Sequence, residues 1–238
     1  MKEFKTIDEV RKEMEGLYML NGHSLSAILE RFHVTAEPFV SLMTDYKCAS
    51  MEVETKFNVL NSRLSVYGEM NPIESIKSRI KSPESILMKM ERKNLPFDLD
   101  SIRNNITDVA GVRVICSFVD DIYRLEELFL GQDDIVLTKR KDYIESPKEN
   151  GYRSLHLIVE VPIFTESGKR NVSVEVQMRT IAMDFWASLE HKLRYKKDIS
   201  PEMIDALGED LKKCALDSAD LDRRMEEVKK KLYSQPEV

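Results

Sequence analysis

The sequence predicts an α/β (α+β) fold, a mixed sheet flanked by helices with helical arms at its N- and C-terminal ends. Three observations carry this prediction. Residues 155–161 (LHLIVEV) and 172–179 (VSVEVQMR) alternate apolar and polar side chains with the two-residue period of a strand. Apolar residues recur at helical spacing in two outlying stretches: Val53, Phe57, Leu60, Leu64 and Tyr67, and again Leu207, Leu211, Cys214, Leu221, Met225, Val228 and Leu232. Glycine and proline number only 8 each while 33% of residues are charged, a balance that suits solvated helix faces and leaves little room for linkers or low-complexity tracts.

Taken in order, residues 7–36 read as helical, with Ser24 in the NGHS turn as an N-cap for LSAILERF. The stripe from Val53 to Tyr67 makes a clearer helix, ended by GEMNP. His23 and His33 lie in this arm without a carboxylate or cysteine at ligand spacing and are read as structural or surface residues. Ser82 caps a further helix with Pro83 at its first position, which turns Ile86, Leu87 and Met90 inward. Free N–H groups at such a start bind anions, and Arg79, Lys81 and Lys89 stand around it. From residue 105 the pattern runs loop, strand, turn, helix. Val112, Val114, Cys116 and Phe118 form the buried strand face, Arg113, Ile115 and Ser117 the other, and Asp120 and Asp121 cap a helix beginning at Ile122. Residues 135–138 make a short apolar strand.

The focal stretch is 139–180. In its second half Val172, Val174, Val176 and Met178 fall on one face; Ser173, Glu175, Gln177 and Arg179 fall on the other. A carboxylate, an amide and a guanidinium in a row are an odd choice for solubility alone. Leu155, Leu157, Val159 and Val161 oppose His156 in the preceding strand, so pairing of the two strands puts His156 and Glu175 on one surface. The helix that follows places Phe185, Leu189 and Leu193 on one face, with Trp186 beside it and Glu190 and His191 near its middle. The C-terminal stripe is nearly heptad and packs either on the N-terminal stripe or on another subunit.

With 238 residues, 42% of them apolar, the chain can bury a sizeable core. Cys48, Cys116 and Cys214 are far apart and form no CxxC, which excludes a disulfide framework or a zinc site as an organising feature. No signal-peptide pattern and no run of 18 apolar residues occurs, so the expectation is a cytoplasmic protein without a membrane partner. The net charge of −6 argues against a general nucleic-acid coat. Basic islands at Lys77–Arg79–Lys81, Lys89–Arg92–Lys93 and Lys139–Arg140–Lys141 are instead what a binder of small polyphosphates needs.

Four separated motifs, RIKSPESI, DVAGVRV, RKDYIESPKENGYRSLH and VEVQMRT with MDFWASLEHKLRYK behind it, occur in the order in which the RelA/SpoT family carries them. Over about residues 50–198 the chain resembles the synthetase domain of that family, specifically its small alarmone synthetases. The resemblance implies a nucleotidyltransferase-like mixed sheet, divided here into a helical arm over 1–70, the synthetase domain over 71–198 and a C-terminal oligomerisation arm over 199–238. It implies transfer of pyrophosphate from ATP to the 3′-hydroxyl of GDP or GTP, yielding ppGpp or pppGpp and AMP, with Mg²⁺ as cofactor. By the same resemblance Asp108 holds Mg²⁺, and Glu175 either holds Mg²⁺ or activates the 3′-hydroxyl, roles the sequence leaves open. Arg79, Lys81, Ser85, Lys89 and Arg113 line the ATP site. Tyr152 stacks on guanine, Lys148, Asn150 and His156 hold the acceptor's phosphates, and Gln177, Arg179 and Glu190 are neighbours in that site. The family's small members form homo-oligomers, with a tetramer favoured. An allosteric (p)ppGpp and single-stranded RNA stand as further candidate ligands.

Two other readings compete. One is a toxic relative that pyrophosphorylates the 3′ end of tRNA, which would want a basic surface beyond the acceptor pocket. The other is a catalytically dead, nucleotide-gated RNA-binding scaffold, against which the joint presence of Asp108, Glu175, Arg79 and Lys89 argues. The long family members carry a hydrolase with a His-Asp pair, and no such dipeptide occurs here, so a synthetase without hydrolase is expected. Removal of residues 200–238 is expected to leave every catalytic residue in place.

Overall fold

The structure, a computed structural model, describes residue 32 and residues 36–66, 71–194 and 201–233; the expectations for Ser24, His23, His33 and Tyr67 lie outside these residues. Five strands form one mixed sheet in the order β1-β2-β5-β4-β3. They are β1 (Ile73–Ile80), β2 (Ala110–Cys116), β3 (Val136–Asp142), β4 (Leu155–Thr165) and β5 (Gly168–Thr180). Only β2 and β5 pair in parallel; the other neighbours are antiparallel. The helices are α1 (Ala36–Val66), α2 (Pro83–Arg92), α3 (Leu99–Asn105), α4 (Val119–Leu130), α5 (Ile181–Arg194) and α6 (Pro201–Tyr233).

Strand alternation decides which face of the sheet is core. Val174, Val176, Met178, Leu155, Leu157 and Val159 are fully buried on one face, where Val112 and Val114 of β2 join them. Helix α1 lies across that face and adds Phe39, Leu42, Val53 and Phe57, the last stacked on Phe129 of α4 with ring centroids 4.5 Å apart. Each fully buried side chain of this size contributes roughly 1.5–3 kcal/mol. The N-terminal stripe is therefore consumed by the sheet and is not the complement of the C-terminal one.

Local chemistry sets the element ends. Ser82 caps α2, its Oγ accepting from Ser85 N at 3.3 Å, with Pro83 behind it. Asp98 caps α3, its Oδ1 accepting from Ser101 N at 2.6 Å. Helix α4 begins at Val119, three residues before the expected start. Its N-cap is Phe118, expected on the buried strand face, and Asp121 reaches back to accept from Phe118 N at 3.2 Å. Asp121 thus caps from inside the helix. Ile115, expected on the open face with Arg113, is buried, because β2 is an interior strand between β1 and β5 and is contacted by α5 as well as by α1 and α4. Strand β3 is longer than expected and takes in Lys139, Arg140 and Lys141 on the exposed edge, a charged edge that discourages further pairing. Arg140 is not held for a ligand: its Nε donates to Glu126 Oε1 at 2.6 Å, tying β3 to α4.

The C-terminal half holds the largest departure. On α5 Phe185, Leu189 and Leu193 are exposed, as is Ile181, while Met183, Trp186 and Ala187 are buried. On α6, Leu207, Leu221, Met225, Val228 and Leu232 all face outward. The face that α6 turns to the body is small and polar, with Ala215, Ser218, Asp222, Glu226 and Lys229 each touching α4, α5, the end of β5 or the loop before β4.

Candidate active site

The polar face of the sheet collects almost all of the expected site residues. On one side, Arg79 at the end of β1 pairs in register with Gly111 of β2, and its side chain lies across that strand within van der Waals reach of where a Cβ at 111 would stand, 3.4 Å away. Lys81 follows, its N–H donating to Val109 O at 2.8 Å, which aims its side chain at Asp108. Lys81 Nζ donates to Asp108 Oδ2 at 2.8 Å, and Lys89 Nζ, one turn and a half into α2, sits 2.7 Å from Oδ1 in an ion pair out of hydrogen-bond alignment. Burial raises the Asp108 pKa, but the hydrogen bond of Lys81 and the close positive charges of both lysines outweigh it and hold the carboxyl below its ordinary value. Ser85 Oγ accepts from Ser82 Oγ at 3.0 Å at the start of the same helix. A cavity of about 210 Å³ opens beside them, lined by Lys77, Arg79, Gly111, Arg113 and Gln177 among others.

On the other side, β4 and β5 pair so that His156 faces Gln177 and Ile158 faces Glu175. Glu175 Oε2 accepts from Gln177 Nε2 at 2.9 Å, and its Oε1 lies 3.4 Å from His156 Nδ1. Arg79 approaches Glu175 to 4.0 Å from the first side. Burial pushes the Glu175 carboxyl up and the Asp108 charge adds to that, yet the hydrogen bond and charge of His156 with the Gln177 amide bring it below the usual glutamate range. Both carboxylates are therefore held ionised.

Arg179 Nη2 donates to Tyr152 Oη at 2.7 Å, and the same oxygen lies 2.7 Å from His156 Nε2, so the tyrosine hydroxyl links the guanidinium to the imidazole. The other ring nitrogen, Nδ1, faces Glu175 Oε1. His156, expected on the acceptor's phosphates, thus has both nitrogens on protein groups. Asn150 and Glu190 also meet: Asn150 Nδ2 donates to Glu190 Oε1 at 3.2 Å, and Asn150 Oδ1 accepts from Tyr152 N at 3.2 Å. Lys148 Nζ rests 4.7 Å from the centre of the Tyr143 ring and 4.9 Å from that of Tyr152.

One member of the cluster was not singled out from sequence. Asp184 Oδ1 accepts from Arg113 Nη1 at 3.2 Å and from Arg179 Nη1 at 3.0 Å, a single carboxylate joining a guanidinium from each side. Burial and the Arg179 charge lower the Arg113 pKa, with Asp184 opposing both. An Asp in the first turn of a helix reads as a dipole-compensating residue; the two arginines that give it this place lie on separate strands, and sequence spacing does not pair them.

Arg79, Lys81, Lys89 and Arg113 gathered around two ionised carboxylates on one sheet face make a site for polyanions. The family described as "Region found in RelA / SpoT proteins" matches residues 78–200. The chain is 43% identical over 187 residues to GTP pyrophosphokinase YwaC of Bacillus subtilis, covering 79% of this chain and 88% of that protein. It is 35% identical over 188 residues to GTP pyrophosphokinase YjbM of the same organism, covering 79% and 86%. The crystal structure of small alarmone synthetase 1 from Bacillus subtilis bound to its product pppGpp superposes with a TM-score of 0.71 at 37% identity, covering 78% of this chain and 93% of that one. The chain belongs to the RelA/SpoT family.

Proposed function

We propose that the chain is a GTP pyrophosphokinase that transfers the β,γ-pyrophosphate of ATP to the 3′-hydroxyl of GDP or GTP, making ppGpp or pppGpp and releasing AMP. The observation that carries this reading is the meeting of two differently furnished half-sites at Glu175: a cationic wall on the β1–β2–α2 side and the Arg179–Tyr152–His156 chain on the β4–β5 side. The names of the relatives support it.

In this reading Arg79, Lys81, Ser85, Lys89 and Arg113 hold ATP, with the planar guanidiniums of Arg79 and Arg113 on either side of the cavity where a purine stacks. Tyr152 stacks on the acceptor's guanine. Lys148, the long and flexible group now on its ring, yields that face to the base and moves to the acceptor's phosphates. Asn150, Gln177, Arg179 and Glu190 shape the same subsite, while His156 positions Glu175. The acceptor's 3′-oxygen forms a bond to Pβ of ATP as the bridging Pα–O–Pβ bond to the AMP oxygen breaks. Glu175 accepts the hydrogen bond of the attacking hydroxyl and takes its proton. A carboxylate held below its ordinary pKa is a weak base, so its main work is orientation, which suffices for a loose transfer in which the nucleophile needs little activation.

The donor set fits Mg²⁺, which takes one or two carboxylates and completes its shell with substrate phosphates. Asp108 and Glu175 would hold it, and Asp108 Oδ1 is a buried oxygen without a hydrogen bond. When bound, the ion neutralises phosphate oxygens. The protein is read as a synthetase without hydrolase, working in the cytoplasm, where both nucleotides are found. Among the described residues no helix is long and apolar enough to cross a membrane. The division at residues 70 and 198 is kept, with the C-terminal arm in a homotetramer supported by the outward Phe185, Leu189, Leu221 and Val228. A monomer in sedimentation at micromolar concentration would rule that assembly out. Allosteric (p)ppGpp and single-stranded RNA remain candidate ligands of such an assembly. The reading itself is tested by incubation with terminally labelled ATP and GDP, GTP, GMP or tRNA: label passes to GDP and GTP, and label on tRNA alone would overturn it.

A further inference from the structure

The inward face of α6 carries no leucine stripe, yet it makes a run of specific contacts, and those over its middle, from Leu211 to Asp222, converge on one place. Thr180 Oγ1, fully buried and next in sequence to Arg179, donates to Asp222 Oδ2 at 2.7 Å while accepting from Met183 N at 3.1 Å. The same hydroxyl that ties the end of β5 to α6 thus caps the start of α5. Ser218 Oγ donates to Ala182 O at 3.0 Å, and Trp186 Nε1 donates to Leu211 O at 2.7 Å. Ala215 forms a small buried cluster with Trp186 and Ala187, and Tyr152 packs against it.

The closest approach is at Gly151. Its φ of +88° is a conformation that L side chains rarely adopt, and a Cβ built there would lie 2.4 Å from Ala215 Cβ. The Asn150-Gly151-Tyr152 turn is therefore seated directly on α6. By contrast, the groups that hold Asp108 and aim Lys81 come from β1, α2 and the residues before β2.

We infer that α6 is a built-in part of the acceptor subsite, and that Ala215 and Asp222 are positioning residues for the guanine nucleotide, Ala215 by seating the Gly151–Tyr152 turn and Asp222 by fixing the β5–α5 junction behind Arg179. The inference rests on the acceptor assignment made above. Removal of residues 200–238 is expected from the sequence to leave every catalytic residue in place; on this inference loss of α6 leaves the Asp108 cluster standing but unseats Tyr152.

The test uses the full-length chain. Ala215→Leu pushes the turn off its seat, and Asp222→Ala removes the acceptor of the Thr180 hydroxyl, whereas Asp222→Asn keeps an oxygen for it. Calorimetric titration with GDP and, separately, with the non-hydrolysable ATP analogue AMPCPP reads the two half-sites without turnover. The expected result is GDP binding weakened about ten-fold or more in Ala215→Leu and Asp222→Ala, because a displacement of about 1 Å is costly in a preorganised site. AMPCPP binding stays within about two-fold of wild type in both, and Asp222→Asn restores GDP binding. The unchanged analogue binding shows that the variants are folded. GDP affinity equal to wild type in both variants, or equal loss of both ligands, overturns the inference. Transfer of label from ATP to GDP by the wild-type chain is measured alongside; its absence would sink the functional reading independently of how the variants bind.

Discussion

The two sides of the site are built in different ways. The proposed donor side is written between Arg79 and Arg113, where two adjacent strands and one capped helix bring Lys81 and Lys89 onto Asp108 through close ion pairs. The proposed acceptor side is assembled from the 148–152 turn, β4, β5 and α5, and it is seated on α6, with hydrogen bonds that span long separations such as Asn150 to Glu190 and Thr180 to Asp222. A site held by local ion pairs should lose little but its own contacts on mutation. One held by distant packing should lose geometry when a remote element shifts. Glu175 stands between them, within 4.0 Å of Arg79 on one side and 3.4 Å of His156 on the other.

That position makes Glu175 the place of largest effect. Glu175→Gln keeps the size and most of the hydrogen bonding but removes the charge, and kcat is expected to fall by about two decades or more, the scale of lost general-base or electrostatic stabilisation. Binding of GDP and AMPCPP should survive. Near wild-type turnover at saturating Mg²⁺ would remove Glu175 from the chemistry and leave the two sides without a common centre.

How much of this contrast was legible in the sequence follows from the same difference. Alternation in LHLIVEV and VSVEVQMR fixed one face of β4 and β5 as core, because a one-residue slip would bury Glu175 and Arg179 among valines. The Ser82-Pro83 cap was equally plain, since both residues act within a single turn. The start of α4 was not, because its N-cap is Phe118, which offers no capping oxygen, and the bond comes back from Asp121. Hydropathy misled at α6: of the stripe only Leu211 packs inward while Leu207, Leu221, Met225, Val228 and Leu232 face outward, and the helix docks largely through Ala215, Ser218 and Asp222, residues that an apolar pattern discards. Asp184 was invisible for a similar reason, being defined by two arginines on different strands.

A next step down in magnitude separates Asp108 from its lysines. Asp108→Asn leaves Lys81 and Lys89 with no carboxylate between them, so ATP should bind at least as well while the Mg²⁺ dependence of the rate moves to higher concentration, by about 10–100-fold if Asp108 holds the ion. Titration of activity with Mg²⁺ at saturating nucleotides checks this. An unchanged Mg²⁺ curve would make Asp108 a purely structural counter-ion of the two lysines.

The division between the sides is tested more directly by a pair of truncations. Tyr152→Ala removes a stacking partner worth about 1–3 kcal/mol, so the KM for GDP should rise roughly ten-fold or more, with that for ATP little changed. Arg113→Ala should do the reverse. Tyr152→Phe sharpens the point, since it keeps the ring and removes only the hydroxyl that orients His156; kcat should drop about five-fold with the KM for GDP nearly intact, the scale of one hydrogen bond. Equal weakening of both substrates by Tyr152→Ala and Arg113→Ala would erase the distinction between donor and acceptor sides.

The smallest expected effect reaches the acceptor side through the far end of α6. There Glu226 Oε1 accepts from Asp120 N at 3.3 Å, beside the Asp120 carboxylate, while Lys230 lies 3.2 Å from Asp120 and 3.8 Å from Glu226, and Lys229 lies 3.1 Å from Asp121. Burial, the hydrogen bond with Asp120 and its charge push the Glu226 pKa from an ordinary 4.5 up to about 7, with Lys230 opposing. A carboxyl whose folded-state pKa is raised favours folding when protonated, so its contribution is full below 4.5 and is lost as pH rises through about 7. Above that point two neighbouring carboxylates repel across the α4–α6 contact, and the strap that seats Gly151 loosens. The KM for GDP should therefore climb about two-fold between pH 6.5 and 8.5 beyond any change in the KM for ATP, a size in keeping with a partly screened pair near the surface. Glu226→Gln keeps the oxygen that accepts from Asp120 N and cannot ionise, so it should flatten that climb without altering kcat at pH 6.5. A climb that persists in Glu226→Gln would mean that α6 docking does not respond to this carboxylate, and that the acceptor side is as locally held as the donor side.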